Sequence, residues 1–178
     1  MRIKILPASA RTRRTLGVMG LMLAVSSFPM ATALSAASAE KPRPSIDLAA
    51  LSEPLQDLSP RERSLVEDAA GLIRENRHAE ALATLTQLTK SNPKNSAVRV
   101  LRAYALLELG NVTDALVDAS TAEGSGGHSA YKCWFLAQVA YLAGDKPLCR
   151  REIKHIGSNP TYGPEAKKLG GALDGSLK

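Results

Sequence analysis

The sequence has few of the side chains on which enzymes and metal sites depend. Its 178 residues include two cysteines, three histidines and one tryptophan. His78, His128 and His155 fall at a predicted turn, in a glycine-rich loop and at a helix end, at a spacing that fits no metal site. No Ser, Cys or His arrangement matches a nucleophile signature. The glycine-rich stretch EGSGGHS lies between two predicted helices, whereas phosphate-binding loops follow a strand. The sequence therefore predicts no enzyme, no metal and no cofactor.

Acidic residues are absent from the N-terminal segment. Residues 1–39 contain five Lys and Arg residues and no Asp or Glu. Removing these five from the 23 basic residues leaves 18 against 17 acidic ones, although the whole chain carries a formal charge of +6. The basic balance is thus a property of the first residues, and the remainder has no electrostatic basis for binding nucleic acid.

The same N-terminal segment has the order of an export signal. The basic stretch MRIKILPASARTRR precedes the apolar run LGVMGLMLAVSSF, and small residues follow up to Ala39. This order predicts a signal peptide over residues 1–39, cleavage after Ala39 and export, with the periplasm as the expected location. The apolar run is short and contains Ser26, Ser27 and Pro29, so no stable membrane anchor is expected after cleavage. The stretch TRRTL also resembles a twin-arginine signal, so both the general secretory and the twin-arginine routes are open.

The composition changes twice beyond the leader. Residues 40–58, EKPRPSIDLAALSEPLQDL, contain three prolines, which predicts a linker or loosely ordered arm, with room for a short helix around residues 46–51. A helix start follows, because Ser59 can cap, Pro60 suits the first helical position and Glu62 completes a capping box. Residues 59–178 therefore read as an all-α domain, with helices predicted near 60–75, 78–91, 96–109, 112–123, 130–143, 146–156 and 164–173.

A period of 34 residues runs through this domain. Small residues recur on the first helix of each predicted pair, turn-forming residues recur between the helices, and small residues recur again on the second helix. These three sets are Ala69, Ala103 and Ala137; Asn76, Gly110 and Gly144; and Ala81, Ala115 and Cys149. The phase of these sets predicts three helix hairpins whose helices approach closely at small side chains.

The period and the local sequences resemble the tetratricopeptide repeat family. The stretches ENRHAEALATLTQLTKSNPKN, AYALLELGNVTDAL and FLAQVAYLAGDKPLC carry the resemblance, which covers roughly residues 62–162. The chain departs from the family pattern at the early bulky position, where it has Leu65, Arg99 and Cys133, and at Gly127, where a closing proline is usual. The resemblance implies an α-α superhelix of about three hairpins, with the last helix covering the end of the third.

The family resemblance also implies a function. First helices of successive repeats line a concave groove, so the expected function is a non-enzymatic scaffold that binds a peptide or protein partner there. The partner-binding residues that the resemblance places in this groove are Arg63, Val66, Tyr104, Leu107, Tyr131, Trp134, Gln138 and Tyr141. The Lys and Asn residues of the carboxylate clamp found in chaperone-binding members are missing from these positions. The alternative is a structural or self-associating envelope protein whose groove is filled by its own arm or C-terminal helix.

The two cysteines allow more than one interpretation. Export would place Cys133 and Cys149 in an oxidising compartment, where a disulfide can form. The predicted offset of about one helical turn between them, added to the helix separation, strains the Cα distance limit of about 7 Å for a disulfide. Cys149 is also in phase with Ala81 and Ala115, which predicts that it is a small residue at the third helix crossing.

Overall fold

A computed structural model describes residues 43–175, and within that range it contains eight α-helices and no strand. The predicted signal peptide and its cleavage site lie outside the described residues. The helices are α1 (Ser52–Gln56), α2 (Pro60–Arg74), α3 (His78–Ser91), α4 (Ser96–Glu108), α5 (Val112–Glu123), α6 (Ala130–Ala143), α7 (Lys146–Ile156) and α8 (Gly163–Leu173).

The helices α2 to α7 pack as three successive hairpins. The pairs are α2 with α3, α4 with α5, and α6 with α7, and the hairpins stack through contacts of α3 with α4 and of α5 with α6. Helix α8 packs against α6 and α7, and its Leu169 and Leu173 are buried there, as expected for a helix that covers the third hairpin. The predicted all-α fold of hairpins with a C-terminal helix is confirmed.

The first hairpin begins at the capping box that the sequence predicts. The backbone N–H of Glu62 donates to Ser59 Oγ at 3.3 Å, and that of Ser59 donates to Glu62 Oε2 at 3.1 Å. Asn92 Nδ2, at the end of α3, donates to Glu62 Oε1 at 2.7 Å. The hydrogen bonds from Ser59 and Asn92 hold the pKa of Glu62 at about 2. The charged carboxylate therefore ties the start of α2 to the end of α3.

The turn inside each hairpin has the same backbone conformation. Asn76, Gly110 and Gly144 have φ values of 60°, 81° and 78°, in the left-handed region. At each turn the next residue donates its N–H to the carbonyl five residues earlier, as Asp145 does to Ala140 at 2.9 Å. This is the Schellman ending of a helix, which favours glycine because a Cβ is strained at positive φ. These three positions therefore recur every 34 residues because each turn requires a residue that can adopt a left-handed backbone conformation.

Small residues occupy the helix crossings, as the period predicts. The phased positions are fully buried, and they are Ala69, Ala103, Ala137, Ala81, Ala115 and Cys149. The structure holds Cys133 and Cys149 as free, buried thiols. Burial raises the pKa of each thiol to about 11, so both are neutral at physiological pH.

The role of Cys149 as a small residue can be tested by changing its size. Cys149→Ala should lower the free energy of unfolding by about 1 kcal/mol or less, whereas Cys149→Leu should overpack the crossing and cost about 1–3 kcal/mol. Urea unfolding of both variants, with and without reductant, measures these differences. If Cys149→Ala loses several kcal/mol of unfolding free energy, and if reductant lowers the unfolding free energy of the parent protein by the same amount, the two cysteines Cys133 and Cys149 form a disulfide.

The segment before α2 differs from the predicted linker. Within the described residues 43–58, here called the arm, Leu51 is fully buried and Leu58 is 4 % exposed. The short helix of the arm is α1, which lies after the expected range 46–51, because Pro54 suits the first turn of a helix and Asp47 Oδ1 accepts the N–H of Ala50 in a turn before it. Apolar side chains of the arm pack on the hairpins, so the arm is part of the folded unit rather than a loose connection.

Candidate functional site

The candidate site is the surface formed by the first helices of the hairpins, α2, α4 and α6, here called the inner face. It contains the positions that the sequence predicts to bind a partner. The arm lies on this face and meets it at three points. These are a polar contact at Asp47, an apolar contact at Leu51 and a set of hydrogen bonds around the end of α1.

Two tyrosine hydroxyl groups bind the arm at Asp47. The hydroxyl of Tyr131 accepts the N–H of Asp47 at 3.0 Å and donates to the carbonyl of Ser45 at 3.1 Å. The hydroxyl of Tyr162 donates to Asp47 Oδ2 at 3.0 Å. Burial raises the pKa of Tyr131 above its usual range, and burial with the bond to Asp47 raises the pKa of Tyr162 to about 12. Both hydroxyl groups therefore keep the proton that these hydrogen bonds need.

The apolar contact of the arm is made by Leu51. Its side chain belongs to the same buried cluster as Ala97 and Val100 of α4 and Tyr131 and Phe135 of α6. The leucine is therefore part of the buried core that the arm shares with the second and third hairpins. Burying a leucine completely stabilises the contact by about 1.5–3 kcal/mol relative to exposing it.

The end of α1 is held by side chains from two hairpins. Arg63 of α2 donates from Nε to the carbonyl of Leu55 at 3.2 Å and from a terminal nitrogen to that of Leu58 at 3.3 Å. Asn95, which caps α4, donates from Nδ2 to the carbonyl of Pro54 at 2.6 Å. The bonds to Pro54 and Leu55 satisfy carbonyl groups that the short helix leaves without intrahelical partners, and the bond to Leu58 holds the residues just after it.

The residues predicted to bind a partner divide into two groups in the structure. The first group lies under or beside the arm: Arg63 binds its carbonyls, Val66 shares a buried cluster with Leu58, Tyr131 binds Asp47 and Ser45, and Tyr104 and Leu107 pack half-buried on the cluster of Leu51. The second group lies towards the C-terminal helix. Trp134 and Tyr141 pack on the cluster that contains Ala166, Leu169 and Leu173, and Gln138 is buried with its side chain donating to the carbonyl of Trp134 at 3.3 Å.

Several residues of this contact are missing from the sequence-based set, namely Ser45, Asp47, Leu51, Asn95 and Tyr162. One signal could have identified the arm as a packed segment. Leu48, Leu51, Leu55 and Leu58 are three or four residues apart, which is the spacing of an apolar face on a helical segment. All four pack on the two clusters of the first two hairpins and α6.

Within residues 43–175, every helix falls short of the length and apolar character that crossing a bilayer requires.

Comparison with known proteins gives one match. A family model described as Tetratricopeptide repeat matches residues 72–117, which run from the last residues of α2 through α3 and α4 into α5. No curated protein and no solved structure matches the chain. The matched residues include the turn positions Asn76 and Gly110, whose left-handed conformation recurs at Gly144 in the third hairpin. The family match over residues 72–117 and the three phased helix hairpins of the described residues together support a tetratricopeptide repeat protein.

Proposed function

We propose that the protein is a non-enzymatic binding module of the cell envelope whose inner face takes a peptide segment of a protein partner in place of its own arm. Tetratricopeptide repeats generally mediate protein–protein interaction, which is the broad basis of the proposal. The observation that carries the specific form is the pair of hydrogen bonds between the Tyr131 hydroxyl and the backbone of Ser45 and Asp47. Main-chain bonds of this kind bind a peptide by its backbone, whatever its side chains.

The arm indicates the chemistry of the partner segment. Asp47 presents a carboxylate to the Tyr162 hydroxyl, and Leu51 is fully buried in the apolar cluster that contains side chains of α4 and α6. A competing segment would carry an acidic residue followed, four residues later, by leucine or a side chain of similar size. Because the arm is tethered, it competes at an effective concentration on the order of millimolar, so partner binding depends on how often the arm leaves.

A single hydroxyl removal should loosen the arm. In Tyr131→Phe the ring stays in the core, but the N–H of Asp47 and the carbonyl of Ser45 lose their bonds. The loss of about 1–2 kcal/mol should speed hydrogen exchange of the arm amides about 5- to 30-fold. Exchange measured by NMR at Leu51 and Leu55 reports on the arm, and exchange at Leu101 of α4 reports on the repeats and should stay unchanged. Tyr141→Phe is the matched control, since its hydroxyl makes no hydrogen bond to another described residue.

A second pair of variants, Leu51→Ala in the arm and Leu65→Ala at an exposed position of α2, tests binding. A photoreactive residue at position 104 should cross-link to a partner in the native envelope several-fold more in Leu51→Ala than in Leu65→Ala, because loosening the arm exposes the inner face while Tyr131 keeps the hydroxyl that would bind the partner. Mass spectrometry of the products identifies the partner segment. Equal cross-linking in the two variants, with faster arm exchange in the first, would contradict binding at the inner face.

Export is the second part of the proposal, and the order of basic, apolar and small residues in 1–39 supports it. Cleavage after Ala39 would start the mature chain at Glu40, only a few residues before the arm, so the arm would have a free N-terminal end. N-terminal sequencing of the protein from a periplasmic fraction tests this, and a cytoplasmic protein that retains Met1 would contradict it.

A second candidate function is structural, and the complete burial of Leu51 favours it. In that case the arm is a permanent part of the core, and contacts with other proteins use a different surface. The two candidates differ in the free energy at which the arm opens. A displaceable arm exchanges its amide hydrogens by local opening, whereas a permanent one exchanges them only on global unfolding.

A further inference from the structure

A cluster of potential metal ligands lies at one end of the third hairpin. Glu123 comes from the end of α5, His128 from the loop before α6, Cys133 from the first turn of α6, and Glu152 and His155 from the last turns of α7. One ligand atom from each of His128, Cys133 and His155 lies within 4.8 Å of the others, and the same holds for Glu123, Cys133 and Glu152. The spacing of the histidines along the sequence predicts no metal site, because spacing rules describe ligands that are close in sequence, whereas these residues come from three helices and a loop.

The buried carboxylate of Glu152 is the feature that needs an explanation. The residue is 0 % exposed. Its Oε1 accepts a hydrogen bond from Arg151 Nε at 2.8 Å, while its Oε2 has no well-formed hydrogen bond among the described residues. The nearest ring nitrogen, His155 Nδ1, is 3.6 Å away, and the thiol of Cys133 beside it is a weak donor. A buried carboxylate oxygen without a hydrogen-bond partner destabilises the fold, and a cation bound to Oε2 would remove this cost.

The second carboxylate is placed to orient a ligand. Glu123 Oε1 lies 2.7 Å from His128 Nδ1, and its side chain is 14 % exposed. A carboxylate against a ring nitrogen fixes the orientation of a metal-binding imidazole and raises its basicity. The rings of His128 and His155 are 5.7 Å apart at their centres, so both reach the same small volume.

The loop that carries His128 is held in place independently of the cluster. Lys132 is buried, and its Nζ donates to the carbonyls of Ser125 at 2.6 Å and Gly127 at 2.5 Å. Gly126 and Gly127 have φ values of 68° and 77°, which a residue with a side chain rarely adopts. The bonds from Lys132 and the two glycines turn the loop back so that His128 faces α7.

The donor set indicates the class of ion. A thiolate with two imidazoles and a carboxylate is the ligand set of zinc-type transition metals, whereas calcium and magnesium prefer oxygen ligands alone. Ligand atoms around a tetrahedral zinc ion are about 3.4–3.6 Å apart, so atoms within 4.8 Å of one another need to move by only about 1 Å. An open pocket of about 710 Å³, lined by His128, Cys133, His155 and Asn159 among others, gives an ion a path from solvent.

We propose that His128, Cys133 and His155, with Glu152 as the fourth ligand, bind one divalent ion of the zinc class. Cys133 binds the ion as a thiolate, so its proton passes to solvent as the metal–sulfur bond forms. The bound ion joins α6, α7 and the loop after α5. It therefore stabilises the end of the third hairpin as well as satisfying Glu152.

Titration with Co²⁺ under reducing, anaerobic conditions tests the site, using protein without a histidine tag. One equivalent should produce a thiolate-to-cobalt charge-transfer band and the intense visible bands of a tetrahedral ion, and Zn²⁺ should remove both. Cys133→Ala should abolish the charge-transfer band. His128→Gln is the clearest ligand variant, because the side chain is 75 % exposed and its loss leaves the core intact. Its affinity for Co²⁺ should fall by at least about 10–100-fold, as should that of Glu152→Gln.

Two control variants keep the result interpretable. Cys149→Ala removes the other thiol and His78→Gln removes a histidine outside the cluster, and both should bind Co²⁺ as the parent does. Circular dichroism of each variant checks that the helices remain. Zn²⁺ should also raise the melting temperature of the parent and of Cys149→Ala, but not that of Cys133→Ala. The proposal is wrong if the parent shows no charge-transfer band, if His128→Gln binds like the parent, or if Cys149→Ala alone removes the band.

Discussion

Replacing Asp118 with alanine should lower the free energy of unfolding by about 3 kcal/mol, near the lower end of the range for breaking a buried ion pair. Asp118 of α5 is fully buried and accepts hydrogen bonds from two arginines of α4. Arg99 donates to Oδ1 at 2.6 Å, and Arg102 donates to Oδ1 and Oδ2 at 2.7 and 2.5 Å. Without the carboxylate, two guanidinium groups that are 15 % and 20 % exposed remain side by side, partly desolvated and with the same charge.

Urea unfolding followed by circular dichroism measures this loss. Asp118→Asn keeps the shape but removes the charge, so it should cost nearly as much as alanine. Asp68→Ala makes the same change at an exposed position of α2 and should stay within about 0.5 kcal/mol of the parent. If Asp118→Ala loses less than the control, the arginine–carboxylate cluster does not hold α4 against α5.

Replacing Leu51 with alanine should detach the arm and lower the free energy of unfolding by about 2–3 kcal/mol. Leu51 is 0 % exposed and belongs to the buried cluster that contains side chains of α4 and α6. Alanine leaves a cavity there, and of the other arm leucines Leu48 and Leu55 are only partly buried, while Leu58 stays in the cluster of Val66. Hydrogen exchange should then show the amide of Leu55 unprotected, while the amides of Leu101 in α4 and Phe135 in α6 keep most of their protection.

Leu65→Ala is the matched control for this experiment, because the side chain of Leu65 is 37 % exposed on α2. It should change the free energy of unfolding by less than about 0.5 kcal/mol and leave exchange of the arm unaltered. Equal loss of protection in the arm and in α4 would mean that Leu51→Ala weakens one cooperative unit. That outcome would favour the structural candidate over a displaceable arm.

The repeats could be predicted from the sequence because their requirements are local. The turns at Asn76, Gly110 and Gly144 require a left-handed backbone conformation. The start of α2 requires only the capping box of Ser59 and Glu62. The helix crossings require small side chains, which the alanines there provide. Each of these requirements acts within a few residues or repeats every 34, so it is visible in one sequence. The bounds of α2 to α8 in the structure accordingly lie within about a residue of the predicted ones.

The contents of the candidate site were less predictable. The positions Arg63, Val66 and Tyr131 follow from the phase of the first helices, but nothing local shows that the arm covers them. The hydroxyl of Tyr131 binds residues more than eighty positions earlier in the chain, and that of Tyr162 binds Asp47 from still farther away. Contacts at such separation depend on where the hairpins place the side chains.

The sequence by itself therefore determined the three hairpins, their turns and the small residues at their crossings, since backbone conformation and side-chain size act locally and repeat. Only the tertiary structure decided that residues 43–58 lie on the inner face and that His128, Cys133, Glu152 and His155 meet at one end of the third hairpin. Stacking of hairpins brings residues from distant parts of the chain within bonding distance, and no periodicity in the sequence records which of them will meet.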